Sequence, residues 1–247
     1  MNPAASRFRA ISKRSSRRGV LPTPGFRAGT LGESGLPLWL SRLSSNRHQH
    51  TLHAVRDLSP VDALAALGVG WRAISPRRLG VIPLRDGTSP SRAAVGLDDR
   101  DEGAVLLAGR AGEWTFVHDD RGVTRYVPGT DGSPGATALS AVGTEAVTSG
   151  VTDACGTYLF HAADGKVLFD SWEEIIPTQD ADRLPVSLLA AVAVAGTVDA
   201  DGLEPGAADL FINLRIVSAL VGVFSLADIR DVPLWTAVLS PGGRGDG

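Results

Sequence analysis

The chain has 247 residues, 43% of them hydrophobic and only 6% aromatic, so it holds enough apolar mass for a folded core built on Leu, Val and Ala rather than on rings. The net charge of −3 hides an asymmetry: the first fifty residues carry nine basic side chains against Glu33 alone, which leaves the remainder with fifteen basic against twenty-six acidic. That acidic body argues against a broad nucleic-acid surface, and the single cysteine, Cys155, excludes an internal disulfide and a multi-cysteine zinc site.

Residues 1–47 are rich in Arg, Ser, Gly and Pro without a sustained apolar period, and read as a disordered basic tail ahead of a single domain at 48–247. Three roles compete for it: a translated upstream extension, a basic interaction arm with weak affinity for nucleic acid, and a targeting peptide. The exception is Leu36–Leu43, whose Leu36, Leu38, Trp39, Leu40 and Leu43 suit one helical turn docked on the body. Removal of residues 1–46 is expected to leave the fold intact. No apolar stretch follows the basic N-terminus, and the longest apolar runs are either too short to span a bilayer or carry Asn213 and Arg215. The expectation is a soluble, cytoplasmic chain with no membrane partner.

His48, His50 and His53 are spaced as metal ligands can be, since imidazole binds Zn²⁺, Ni²⁺ and Cu²⁺. The competing reading, solvent-exposed histidines, is preferred because the segment borders the tail. Thr51–Arg56 reads as a strand. Ser59 then caps a helix with Pro60 at its first position, Asp62 in its first turn, and Gly68 as its left-handed stop. Between Gly70 and Leu97, Pro76, Pro83 and Pro90 break the chain into a loop with extended pieces. Trp71 reads there as a core or rim anchor. The loop's Arg72, Arg77, Arg78, Arg85 and Arg92 offer guanidinium forks to an anion, against the plainer reading of a solvated loop.

A run of short strands follows: Gly103–Arg110, Glu113–His118, Gly143–Ser149, Thr157–Ala162 and Lys166–Phe169. Trp114, Phe116 and His118 share one face of their strand. Asp119–Gly122 is a turn, Val123–Val127 a candidate return strand, and Pro128–Ala138 a loop. Asp164–Gly165 between apolar segments marks a hairpin. Downstream, Leu184–Gly196 and Ala207–Val221 read as helices that cover Trp114 and Phe116, with a shorter helix starting at Ser225 and a docking segment at Leu234–Leu239. The fold class is therefore α+β: a mainly antiparallel sheet packed against C-terminal helices.

Several of these segments together resemble an uncharacterised family of actinobacterial, streptomycete-type proteins. They are the capped Leu58-Ser59-Pro60 helix ending at Leu67-Gly68, the Gly112–Trp114 strand start, the Leu139–Val147 segment, the Tyr158–Gly165 hairpin and the helical C-terminal part with Gly222-Val223. The resemblance spans about Thr51 to the C-terminus and implies a lineage and a fold, not an activity.

No Walker loop, dinucleotide-binding glycine fingerprint, nucleophile elbow or His-Glu-x-x-His helix is present, so no cofactor is expected. Two function classes remain. The preferred one is a non-catalytic binding or accessory protein that acts through a protein partner, with Trp114, Asp164, Arg77 and Arg78 as candidate binding residues. The alternative is a hydrolase-like enzyme built on His118, His161 and Cys155 or nearby aspartates, since histidine lowers a thiol pKa or serves as a base.

Overall fold

The computed structural model describes residues 25–43, 50–79, 88–127, 130–152, 156–175, 180, 182–196, 209–222, 229 and 232–240. Its centre is an eight-stranded sheet in which every neighbouring pair is antiparallel. In chain order the strands are β1 (Thr51–Arg56), β2 (Ser75–Arg77), β3 (Ala104–Ala111), β4 (Trp114–Asp119), β5 (Glu145–Val151), β6 (Thr157–Ala163), β7 (Lys166–Ser171) and β8 (Leu234–Leu239). In space they run β2-β8-β3-β4-β1-β5-β6-β7. Among the described residues six helices accompany them: α1 (Leu38–Leu43), α2 (Pro60–Ala66), α3 (Pro90–Ala93), α4 (Gly135–Val142), α5 (Val186–Ala195) and α6 (Ile212–Leu220).

Because successive side chains of a strand point to opposite faces, the sheet has two cores. On one face Leu52, Ala54, Val105, Leu107, Phe116, Val147 and Leu159 pack against α1, α5 and α6. On the other, Val55, Leu106, Val117, Ala146, Tyr158 and Phe160 pack against α2 and α4. We call these the first and second face. The helices are thus not all C-terminal: α1 lies on the first face beside α5 and α6, and the N-terminal half supplies α2 to the second.

Local chemistry explains the elements that form as expected. The Ser59 hydroxyl accepts the Asp62 amide and the Leu67 cap is followed by Gly68 at φ 92°, so α2 starts and stops on its own signals. Asp164 (φ 49°) and Gly165 (φ 72°) make the left-handed turn between β6 and β7.

The structure departs from the expectations in five places. The Leu36–Leu43 turn docks on the body as expected, but deeply enough to set it against a boundary at residue 47. Trp39, Leu40 and Leu43 are buried, with Trp39 edge-on to Phe116 at 5.6 Å, so a truncation ending at residue 46 removes apolar contacts from the first face. Residues 1–24 and 44–49 lie outside the described residues. Val123–Arg125 is a 3-10 turn rather than a strand, with Tyr126 bridging to Pro134. The loop expected up to Ala138 gives way to helix α4, which Pro134 introduces and Gly143 ends. Leu234–Leu239 is an inner strand, between β2 and β3. Trp71 is no core anchor: it is 71% exposed. The short helix expected at Ser225 lies outside the described residues.

Both ends of the sheet discourage strand addition. At one, β2 is three residues long and contains Pro76. At the other, β7 carries Lys166 and its register against β6 shifts between His161 and Ala162. Trp71 precedes β2 and Trp172 follows β7, so two exposed tryptophans mark opposite ends of the sheet.

Candidate functional site

Strand pairing assembles a chain of polar side chains on the second face. β1 lies between β4 and β5, which sets His53 opposite Thr148 and Thr51 opposite Asp119. Asp119 closes the turn after β4. Its Oδ1 accepts the amides of Arg121 and Gly122, each at 2.9 Å, and its Oδ2 accepts the Thr124 amide at 2.7 Å and the Thr124 hydroxyl at 2.6 Å. Burial pushes the Asp119 carboxyl up, while the hydrogen bonds from Thr124 and Arg121 pull it back toward ionisation.

Because the Thr124 hydroxyl donates to Asp119, it can only accept from His53 Nε2, at 2.8 Å. His53 Nε2 therefore carries the proton, and Nδ1 accepts from the Thr148 hydroxyl at 2.8 Å. The imidazole is neutral, in keeping with a pKa lowered by burial to about 3. α4 closes the arrangement from above: a Cβ at Gly135, its first residue, would come within 2.7 Å of His53 Cε1. Next to it Thr51 and Tyr158 share a hydroxyl contact of 2.5 Å, and Gly150 leaves room for the Tyr158 hydroxyl.

The order hydroxyl, imidazole, hydroxyl, carboxylate has the direction of a nucleophilic relay. Its location forbids that use. Thr148, His53 and Thr124 all have no solvent exposure, and the Thr148 hydroxyl points into the imidazole beneath α4. The chain pins β1, β4 and β5 to one another.

On the first face His50 Nδ1 meets His118 Nε2 at 3.2 Å. Both rings are buried, and burial first, then the neighbouring His50 and His53, holds the His118 pKa well below its ordinary value. Beside them Asp120 accepts the Val105 amide at 2.7 Å and Arg92 Nη1 at 2.8 Å. Burial raises the Asp120 carboxyl, and those two donors oppose the rise. On the same face, Arg215 of α6 uses all five of its N–H donors. Nε goes to Ala195 O (2.9 Å), Nη1 to Gly35 O (3.1 Å) and Asp209 Oδ1 (3.0 Å), and Nη2 to Gly196 O (3.3 Å) and Asp209 Oδ2.

The histidines proposed as metal ligands are not brought together. His50 and His53 face opposite sides of the sheet, as residues three apart in an extended chain must, and His48 lies outside the described residues. Among the described residues no group of three His, Cys, Asp or Glu side chains is placed to hold a metal ion.

The residues proposed for hydrolysis are scattered too. His118 is buried on the first face, and Cys155 lies outside the described residues. His161 Nε2 contacts Glu145 Oε1 at 2.8 Å and Ser187 Oγ at 3.4 Å. Both partners meet the same nitrogen, whereas serine activation needs one ring nitrogen for the hydroxyl and the other for the carboxylate. Burial raises the Glu145 carboxyl, but hydrogen bonds from Ser187 and His161 and the charge of Arg56 outweigh it and hold the group below its ordinary value.

Of the proposed binding residues, Trp114 is buried on the first face and Asp164 is a turn residue. Arg77 and Arg78 are exposed, and Arg77 braces the backbone through Ala94 O at 3.1 Å. Sequence reasoning missed Thr124, Thr148, Glu145 and Ser187. Their signal lay in strand register, since His53 and Thr148 are 95 positions apart. No family model, curated protein or solved structure matches the chain. No helix among the described residues is long and apolar enough to cross a membrane.

Proposed function

We propose that the chain is a non-catalytic binding module that engages an acidic segment of a protein partner through the surface at the β2 end of the sheet. One observation carries this reading. Trp71 is 71% exposed with the Arg72 guanidinium 5.3 Å from its ring centre, while the four histidines among the described residues are 0–3% exposed. A large ring held in water by an arginine, with Arg77 and Arg78 following it, is the composition of an interface hot spot. It is also a local positive surface on an acidic body, which steers an acidic partner.

The test is affinity capture from the native host by the immobilised chain, run beside a variant carrying Trp71→Ala, Arg77→Glu and Arg78→Glu. The wild type retains a stoichiometric partner that the variant loses, with both melting at the same temperature. Equal capture by both chains removes this surface from consideration.

The hydrolase alternative rests on Glu145, His161 and Ser187, the one histidine group among the described residues with an exposed hydroxyl. It requires an ester- or amide-cleaving activity that Ser187→Ala abolishes without a change in melting temperature.

A further inference from the structure

The opposite end of the sheet holds a different arginine. Arg125, in the 3-10 turn after β4, is half-buried on the second face. Its guanidinium carbon lies 5.1 Å from the ring centre of Tyr126, 5.5 Å from Tyr158 and 5.6 Å from Trp172. The rings form a connected cluster: Tyr126–Trp172 centroids are 6.4 Å apart, Tyr158–Trp172 5.7 Å and Phe160–Trp172 5.5 Å. Trp172 is 49% exposed, so one side of the cluster is open to water.

Ring faces attract a guanidinium without consuming its N–H donors. Among the described residues no acceptor takes a hydrogen bond from Arg125, and its Nε is both out of water and without a partner. The Asp119 carboxylate of the same turn is already engaged, because it accepts from Arg121, Gly122 and Thr124. The buried arginines that hold the fold together, Arg215 and Arg92, are surrounded by carbonyls and a carboxylate. Arg125 instead has its plane fixed by aromatic rings and its fork left open.

We propose that Arg125 and Trp172 form a binding site for a small anion that carries a planar ring, with the oxyanion on the guanidinium and the ring on the exposed indole. A guanidinium fork matches a carboxylate or a phosphate, and an exposed indole supplies the stacking surface. The site is independent of the partner surface, since β2 and β7 close opposite ends of the sheet.

The test is titration of the full chain with adenosine 5′-monophosphate, benzoate and inorganic phosphate, followed by amide and indole NMR shifts. At least one of the two ring-bearing anions saturates the Trp172 indole shift, and which one does so identifies the oxyanion. Arg125→Gln weakens that binding by about tenfold or more, which corresponds to about 1.4 kcal/mol. Trp172→Leu, at a half-exposed position, lowers affinity for the ring-bearing anion to that of inorganic phosphate, with an unchanged melting temperature as the control for folding. The proposal is overturned if no probe saturates by roughly 10 mM, a concentration set by the weakness of small ligands. It is equally overturned if inorganic phosphate binds as tightly as the ring-bearing anions, or if Arg125→Gln binds like the wild type.

Discussion

The two faces of the sheet solve the same problem with opposite chemistry. Each must bury polar side chains near β1. The first face buries permanent charge: Arg215 has no solvent exposure and is answered by Asp209 and three carbonyls, and Arg92 is answered by Asp120. The second face buries a neutral imidazole in a line of hydroxyls that ends on Asp119. A buried charge that loses its partner is costly, whereas a neutral hydrogen-bond line loses about one bond at a time. The faces should therefore fail differently.

The largest effect is expected on the first face. Arg215 ties the C-terminal end of α5, through Ala195 O and Gly196 O, to Gly35 ahead of α1 and to Asp209 ahead of α6. A cation at a helix C-terminus also interacts favourably with the negative end of the helix dipole. Arg215→Ala should cost about 3–5 kcal/mol, because it breaks a buried ion pair and takes the donor from three carbonyls at once. Urea unfolding of purified protein measures this. A loss under about 1 kcal/mol would mean that the pair is an ordinary surface bridge and that the contrast between the faces is false.

Acid tests the buried imidazoles of both faces next. The His53 pKa in the fold is about 3, against an ordinary 6.5. Between those values the unfolded chain binds a proton that the folded chain refuses, so stability falls as pH drops from about 6.5 toward 3. The slope is about 1.4 kcal/mol per pH unit for each such histidine. His118, lowered for the same reason, adds to it. Asp119 and Asp120 act with the opposite sign at the acid end, since their raised pKa values favour proton uptake by the fold. The urea midpoint should fall between pH 6.5 and 5, and His53→Asn should flatten the curve. A wild-type midpoint that is level over this range would sink the assignment of a neutral buried His53.

How much of this was legible in the sequence follows from distance along the chain. Ser59, Pro60 and Gly68 bound α2 by contacts within a few residues, and Asp164–Gly165 makes its own turn. Both could be read without knowing the fold. α4 was hidden because Gly135-Ala-Thr-Ala-Leu-Ser-Ala-Val reads as loop and strand by composition, and only Pro134 and Gly143 marked its ends. β8 was hidden because a mostly apolar run of six, Leu234–Leu239, becomes a strand only when β2 and β3 flank it. The site was least legible. His50 and His53 looked like one metal motif, yet strand alternation sends them to separate cores, and their partners are 68 to 95 residues away. Trp71 and Trp172 stand at the two ends of the sheet because of strand order, which no local pattern specifies.

The smallest predicted effects test the direction of the second-face line. Thr124→Val removes an acceptor from His53 Nε2–H and a donor from Asp119 at once. Thr148→Val removes only the donor to His53 Nδ1. A buried N–H without an acceptor is penalised more than an acceptor that loses a donor, so Thr124→Val should cost about 1–3 kcal/mol and Thr148→Val about 1 kcal/mol. The two variants are nearly isosteric with the parent, so cavity formation contributes little to either. Their order is the informative quantity. If Thr148→Val is the more damaging, the proton sits on Nδ1, Thr124 donates to the ring instead of to Asp119, and Asp119 keeps only its backbone donors. Nitrogen-15 shifts of the His53 ring decide the same question independently, because the protonated and unprotonated nitrogens of a neutral imidazole resonate far apart. A protonated Nε2 with Thr124→Val the costlier change would establish that the line runs from β5 through β1 to the turn after β4.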